Sequence, residues 1–107
     1  MTEEKFKILP WQGTQEPEEE NIREIYRKEG LDPYSWSNGA GERYSLHTHP
    51  YHKVLYVVSG SITFGFPEDG KNVTMNSGDR LELSPGVAHD AIVGSEGVFC
   101  LEAHRSE

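Results

Sequence analysis

The sequence is poor in cysteine, in basic residues and in long apolar runs, and each shortage removes a class of answers. A single cysteine, Cys100, can build neither a disulfide framework nor a thiolate zinc site within the 107 residues. That usage suits a reducing compartment, and a cytoplasmic location is the expectation. Ten Lys and Arg stand against eighteen Asp and Glu, a formal charge of −8, so nucleic acid and anionic membrane surfaces are expected to be repelled. The longest strictly apolar run, residues 54–58, falls far short of the roughly 20 residues that span a bilayer. The first residues carry neither a basic segment nor an apolar stretch of the secretory kind, so no membrane partner is expected. Internal repeats and low-complexity tracts are lacking too, and the length suits one domain rather than two.

What is present divides near residue 40. Residues 14–30 read as the one helix: Pro17 sits early, Glu18, Glu19 and Glu20 fill the first turn, Arg27 and Lys28 the last, and Gly30 can take the left-handed stop. In this reading residues 16–20 are a helix N-terminus and nothing more. The apolar face is narrow, Ile22, Ile25 and Tyr26 with Leu31 just beyond, so the helix should lie on a larger body. Residues 31–41, with Pro33, Tyr34 and Trp36, read as an ordered connection that packs its aromatics on that body.

From Glu42 onward, turn chemistry recurs roughly every 8 to 12 residues, at residues 59–61, 67–70, 76–79, 84–86 and 94–97. Candidate strands are 42–49, 53–59, 61–66, 72–75, 80–83, 88–93 and 98–103, with no helical pattern between them to supply parallel crossovers. This spacing predicts an all-β antiparallel sandwich or barrel. Val54, Tyr56 and Val58 alternate with Leu55 and Val57, which makes that strand apolar on both faces. Its second face calls for cover, by another copy in a homodimer or by the N-terminal arm.

The chemistry concentrates in residues 42–50. A period of two puts Arg43, Ser45, His47 and His49 on one face and Tyr44, Leu46 and Thr48 on the other. Two imidazoles at i and i+2 on a strand can converge on one cation, although two surface histidines would give the same pattern. The frame around them is more specific: Gly41, five residues, His47-Thr48-His49, three residues to position 53, six more, and Gly60. It resembles the first motif of the cupin superfamily. The run from Gly78 to His89, through Pro85-Gly86, is similar to the second, with Ser84 at the usual proline and Val93 at the usual asparagine. The resemblance covers residues 41 to 93 and the short intermotif stretch of small bacterial members. It implies a cupin jelly-roll β-barrel, here with a short N-terminal helix: an arm over residues 1–40 packed on a barrel over residues 41–107, one structural domain.

The resemblance also implies that His47, His49 and His89 are metal ligands and that a glutamate at position 53 completes the set. Here position 53 is Lys. Three neutral imidazoles leave a divalent charge uncompensated, and a neighbouring ammonium adds repulsion. Three readings stay open. Lys53 turns away and pairs with a carboxylate, Glu82 or Glu102, while a three-histidine site survives, as in thiol-oxidising members of the superfamily. Alternatively His52 turns in as a fourth ligand, or the site has lost its metal. Arg43 is a candidate clamp for a substrate carboxylate, and Tyr51 a candidate for the pocket mouth. Cys100 reads as a small buried hydrophobe, and His104 as a solvated tail residue.

The expected function is a small metal-binding cupin using Fe, Mn, Ni, Cu or Zn to oxidise or isomerise a small polar molecule inside the barrel. The competing expectation is a non-catalytic module that binds or senses a small-molecule ligand, its metal site degraded by Lys53.

Overall fold

The computed structural model describes residues 5–105, so the first four residues of the expected arm and the last two of the expected barrel lie outside it. Its elements are β1 (Phe6–Leu9), α1 (Glu19–Lys28), β2 (Tyr34–Asn38), β3 (Arg43–His47), β4 (His52–Phe66), β5 (Lys71–Asn76), β6 (Arg80–Leu83) and β7 (His89–Arg105). Every ladder is antiparallel. β4 and β7 pair along almost their whole length, from His52 opposite Arg105 to Gly65 opposite Asp90. On its other edge the first part of β4 pairs β6 and the last part pairs β5. Likewise β7 begins beside β3 and ends beside β2, while β1 extends the sheet from β6.

Each long strand therefore serves two half-sheets, which corrects the breaks expected at residues 59–61 and 94–97. The chain bends there without leaving the ladder, with register shifts between Val57 and Ser59 and between Gly60 and Ile62. Gly60 and Gly97 each carry φ 78, and a Cβ on Gly60 would lie 2.0 Å from the Gly97 carbonyl oxygen. Glycine is required at this crossing because the left-handed backbone and the close approach both exclude a side chain. The fold is thus an antiparallel jelly-roll sheet. The expected closed barrel is not realised in the hydrogen-bond ladder of the described residues, whose main path runs β1-β6-β4-β7-β2 and leaves its two short end strands unpaired with each other.

The helix starts at Glu19, five residues later than expected from residue 14. Pro17 disfavours helical backbone at the residue before it, and Glu18 is extended. The C-terminal reading holds, with Arg27 and Lys28 in the last turn and Gly30 at φ 73. Ile22 and Tyr26 are fully buried against Val54, Tyr56, Leu101 and Ala103, with Ile25, Leu31 and Val58 packed around them. The Tyr26 hydroxyl lies 2.9 Å from the Val54 carbonyl oxygen and 3.0 Å from that of Leu101, which ties the helix to both long strands. The second apolar face of β4 is covered within the chain, so that face no longer calls for a second copy.

Residues 31–41 hold a strand rather than only a connection: β2 pairs β7 from Tyr34 opposite Glu102 to Asn38 opposite Val98. Pro33 and the Gly39–Gly41 region masked the alternation of Trp36 with Ser35 and Ser37. No helix among the described residues is long and apolar enough to cross a membrane.

Candidate metal centre

The three histidines meet because β3 and β7 are neighbours. His47, the last residue of β3, stands directly opposite His89, the first of β7. His49 follows two residues beyond the strand. Ring centroids are 4.4 Å apart for His47 and His89, 4.6 Å for His47 and His49, and 5.2 Å for His49 and His89. One ligand atom from each lies within 4.8 Å of those of the others. Bonds of about 2.0–2.1 Å at tetrahedral or right angles need nitrogens roughly 3–3.4 Å apart, a gap that modest ring tilts close.

The period-two assignment of Arg43 to the histidine face is corrected by a bulge. Between the pairs Tyr44–Ala91 and His47–His89, β3 advances three residues while β7 advances two. The extra residue inverts the alternation, so Tyr44 shares the inner face with His47. Arg43 is exposed and lines an outer groove with Ser45, Thr63, Asn72 and Asp90. His52 is also corrected as a ligand. Alternation along β4 sends it to the face opposite Lys53, where it pairs in register with Arg105.

The donors fit a metal. Nδ1 of His47 lies 2.5 Å from the Ser45 carbonyl oxygen, and Nδ1 of His89 lies 2.9 Å from that of Val87. A carbonyl can only accept, so Nδ1 carries a proton in each ring and Nε2 is the atom left to act as ligand. Among the described residues His89 Nε2 is buried without a hydrogen-bond partner, an arrangement that is costly unless something coordinates it. His49 Nδ1 is 3.0 Å from the Tyr51 hydroxyl, and the Tyr51 ring stacks on the imidazole at 4.8 Å. These carbonyl and hydroxyl contacts hold the rings in orientation, as outer partners of metal ligands do. Burial, then Lys53 and the other two histidines, lower the His49 pKa to about 4. Burial likewise lowers that of His89, with Lys53 and His47 adding to it. Both rings are neutral at neutral pH, the state a ligand needs.

Lys53 and Glu102 face the same cavity from the neighbouring strands β4 and β7. The ammonium lies 3.8 Å from Glu102 Oε1, with side-chain exposures of 8% and 5%. Glu102 accepts from Trp36 Nε1 at 3.0 Å and from the Tyr34 hydroxyl at 2.8 Å, and contacts His104 Nε2 at 2.7 Å. Burial alone would raise its pKa, yet Lys53 and these contacts hold it below the usual carboxylate range. Lys53 is lowered from its ordinary value by burial, which Glu102 partly offsets. Of the two expected carboxylate partners Glu102 is the one found; Glu82 pairs instead with Arg80 on the other face. His104 is exposed but is not a free tail residue: it belongs to β7, and its ring stacks on Tyr51 at 3.6 Å. Cys100 is buried as expected, its thiol pushed up to about 12 by burial first of all.

The cavity measures about 480 Å³, within the range of small-molecule sites. The triad, Tyr51, the Lys53–Glu102 pair, Ser37 and Asn38 are among its polar lining, and Tyr44, Ile62, Phe64 and Ala91 belong to its apolar wall. Tyr34, Trp36 and Tyr44 were not singled out as pocket residues from sequence, because the first two lie on the strand missed in β2 and the third is turned inward by the bulge.

Residues 37–102 match the cupin domain family, more than half of the chain. The chain belongs to the cupin family. No curated protein matches this cupin. Among solved structures it is similar to an RmlC-like cupin from Shewanella frigidimarina, 24% identical with a TM-score of 0.59, over 69% of this chain and 64% of that one. It is also similar to a polyketide cyclase from Streptomyces resistomycificus, 18% identical with a TM-score of 0.61, over 69% and 54% of the two chains. A DMSP lyase from Ruegeria pomeroyi aligns at 22% identity with a TM-score of 0.64, over 72% of this cupin and 39% of the lyase. These likenesses speak for the fold, and this cupin spans less than two thirds of each of the three proteins.

Proposed function

We propose that this cupin is a metal-dependent enzyme that oxidises or isomerises a small polar molecule, with a divalent first-row metal held by His47, His49 and His89. The observation that carries the reading is the buried Nε2 of His89, without a hydrogen-bond partner among the described residues, in a group of three ligand atoms within 4.8 Å. A metal bound there supplies a Lewis acid or, for Fe, Mn or Cu, a redox centre. The chain's own residues do the rest. The Ser45 and Val87 carbonyls keep Nδ1 of His47 and His89 protonated, and Tyr51 orients His49. Tyr44, Ile62 and Phe64 exclude water from one side of the cavity. The similarity of fold to a cyclase and a lyase supports the idea that such a cavity can host chemistry on small molecules.

Elemental analysis of protein purified without a histidine tag tests the reading. Near-stoichiometric Fe, Mn, Ni, Cu or Zn in the wild type, lost in His89→Ala, is expected. A wild type without metal that also fails to retain added metal against a weak chelator overturns it.

A further inference from the structure

The Lys53 ammonium is loosely held beside the cavity. Its side chain is 8% exposed and borders the cavity, and the ion pair it makes among the described residues is a long one, with Glu102 Oε1 at 3.8 Å. Glu102 has little left to offer. Oε1 already accepts from Trp36, and Oε2 is engaged by both Tyr34 and His104. An ammonium carries three donors, so Lys53 has donors to offer a ligand in the cavity it borders.

The charge balance of the cavity points the same way. Lys53 and Glu102 cancel, so the two positive charges of a divalent metal would meet no protein anion among the three histidine ligands. The missing negative charge and an acceptor for Lys53 are both supplied by one ligand group placed between the triad and Lys53. We propose that the cavity takes a small carboxylate, which offers its oxygens to the Lys53 ammonium and its charge to the metal side of the pocket. This rests on the metal reading above for the second half of that role and on Lys53 alone for the first.

A carboxylate suits the pocket better than a phosphate. Among the described residues Lys53 is the one cationic side chain lining the cavity, and it has the Glu102 carboxylate beside it, so a monoanion meets less repulsion there than a more highly charged phosphate. Beside the polar Ser37 and Asn38 the wall carries Tyr44, Ile62, Phe64 and Ala91, which suits an apolar remainder of the ligand. The carboxylate clamp assigned from sequence to Arg43 passes to Lys53, because the bulge in β3 turns Arg43 outward.

The test is calorimetric titration of metal-free and zinc-loaded protein with acetate, malonate and benzoate, each against its amide, and with inorganic phosphate. Trp36 fluorescence provides a second readout from within the pocket. In metal-free wild type at least one carboxylate should bind about tenfold more tightly than its amide and more tightly than phosphate, as expected for a hydrogen bond to a charged group. The preference should vanish in Lys53→Met and survive in Lys53→Arg. Wild type that prefers no carboxylate over its amide, or prefers phosphate, overturns the proposal, and so does a preference undiminished in Lys53→Met. If Lys53→Met does not fold, the wild-type acid-to-amide ratios alone decide. The two readings fail separately: retained zinc with no carboxylate preference leaves the metal site standing, and a carboxylate preference without metal retention leaves the anion site standing.

Discussion

A buried cation lies on each face of the sheet around β4, and the two are held differently. On the outer side Arg80 of β6 is firmly held: Nε donates to Glu82 at 2.9 Å, and Nη1 and Nη2 each donate to Glu29 at 2.9 Å. Nη1 also reaches the Tyr56 hydroxyl at 3.3 Å, and the guanidinium lies 5.4 Å from the centre of that ring. This cluster fastens the residue that caps α1, Glu29, to β6. On the inner side Lys53 meets Glu102 more loosely, at 3.8 Å. The guanidinium commits four of its five donors to structure, whereas the lysine keeps donors in reserve beside a cavity. A buried charge that is firmly held reads as architecture, and one left slack beside a pocket reads as a place for a ligand.

The largest expected effect that sharpens this contrast is on the metal. His89→Ala should lower zinc affinity at least a hundredfold in a chelator competition while Arg80→Met leaves it within about threefold, since removal of even an outer partner costs 10- to 100-fold. Comparable losses in both variants would show that the two faces are not independent.

Next in size is the outer cluster. Arg80→Met should destabilise by about 2–3 kcal/mol in urea denaturation, below the value for complete burial because Glu29 and Glu82 retain solvent. Lys53→Met should cost less, about 1–2 kcal/mol, because Glu102 keeps its contacts with Tyr34, Trp36 and His104 and the desolvated ammonium is gone. The reverse order would break the comparison.

Acid should narrow the difference between Arg80→Met and wild type. The Glu29 pKa is lowered, first by its hydrogen bond to Arg80. A depressed folded-state pKa contributes stability that is fully present above the unfolded value near pH 4.3–4.5, and that is lost as the pH falls through the folded value. Denaturation at pH 7 and at about pH 3 should therefore show a smaller Arg80→Met penalty at the lower pH. A constant penalty would mean that Glu29 is not held by Arg80.

The smallest effect belongs to the helix. Tyr26→Phe removes one buried hydroxyl between two carbonyls, and urea denaturation should register a loss of about 1 kcal/mol with metal and ligand binding unchanged.

Much of this was legible in the chain. His47, His49 and His89 could be picked out because glycine and proline spacings frame them, and the helix ending at Lys28 because charge and glycine mark its last turn. Arg43 could not be placed, since a single extra residue in β3 inverts side-chain direction and no turn residue announces it. The bends at Gly60 and Gly97 were mistaken for turns because glycine serves a tight crossing and a chain reversal equally well. The strand in β2 was hidden by its polar alternation between Pro33 and Gly39.

By itself the sequence determined the class of fold, through composition, periodicity and turn spacing, and its resemblance to the cupin motifs supplied the three ligand candidates and marked Lys at position 53 as unusual. Tertiary structure alone decided which carboxylate faces Lys53, that this carboxylate is already engaged, and that α1 covers the outer apolar face of β4. The reason is register. Which residues stand opposite one another across β4, β6 and β7 is fixed by pairing between residues as far apart in the chain as His52 and Arg105, and a shift of one residue exchanges the inner face for the outer.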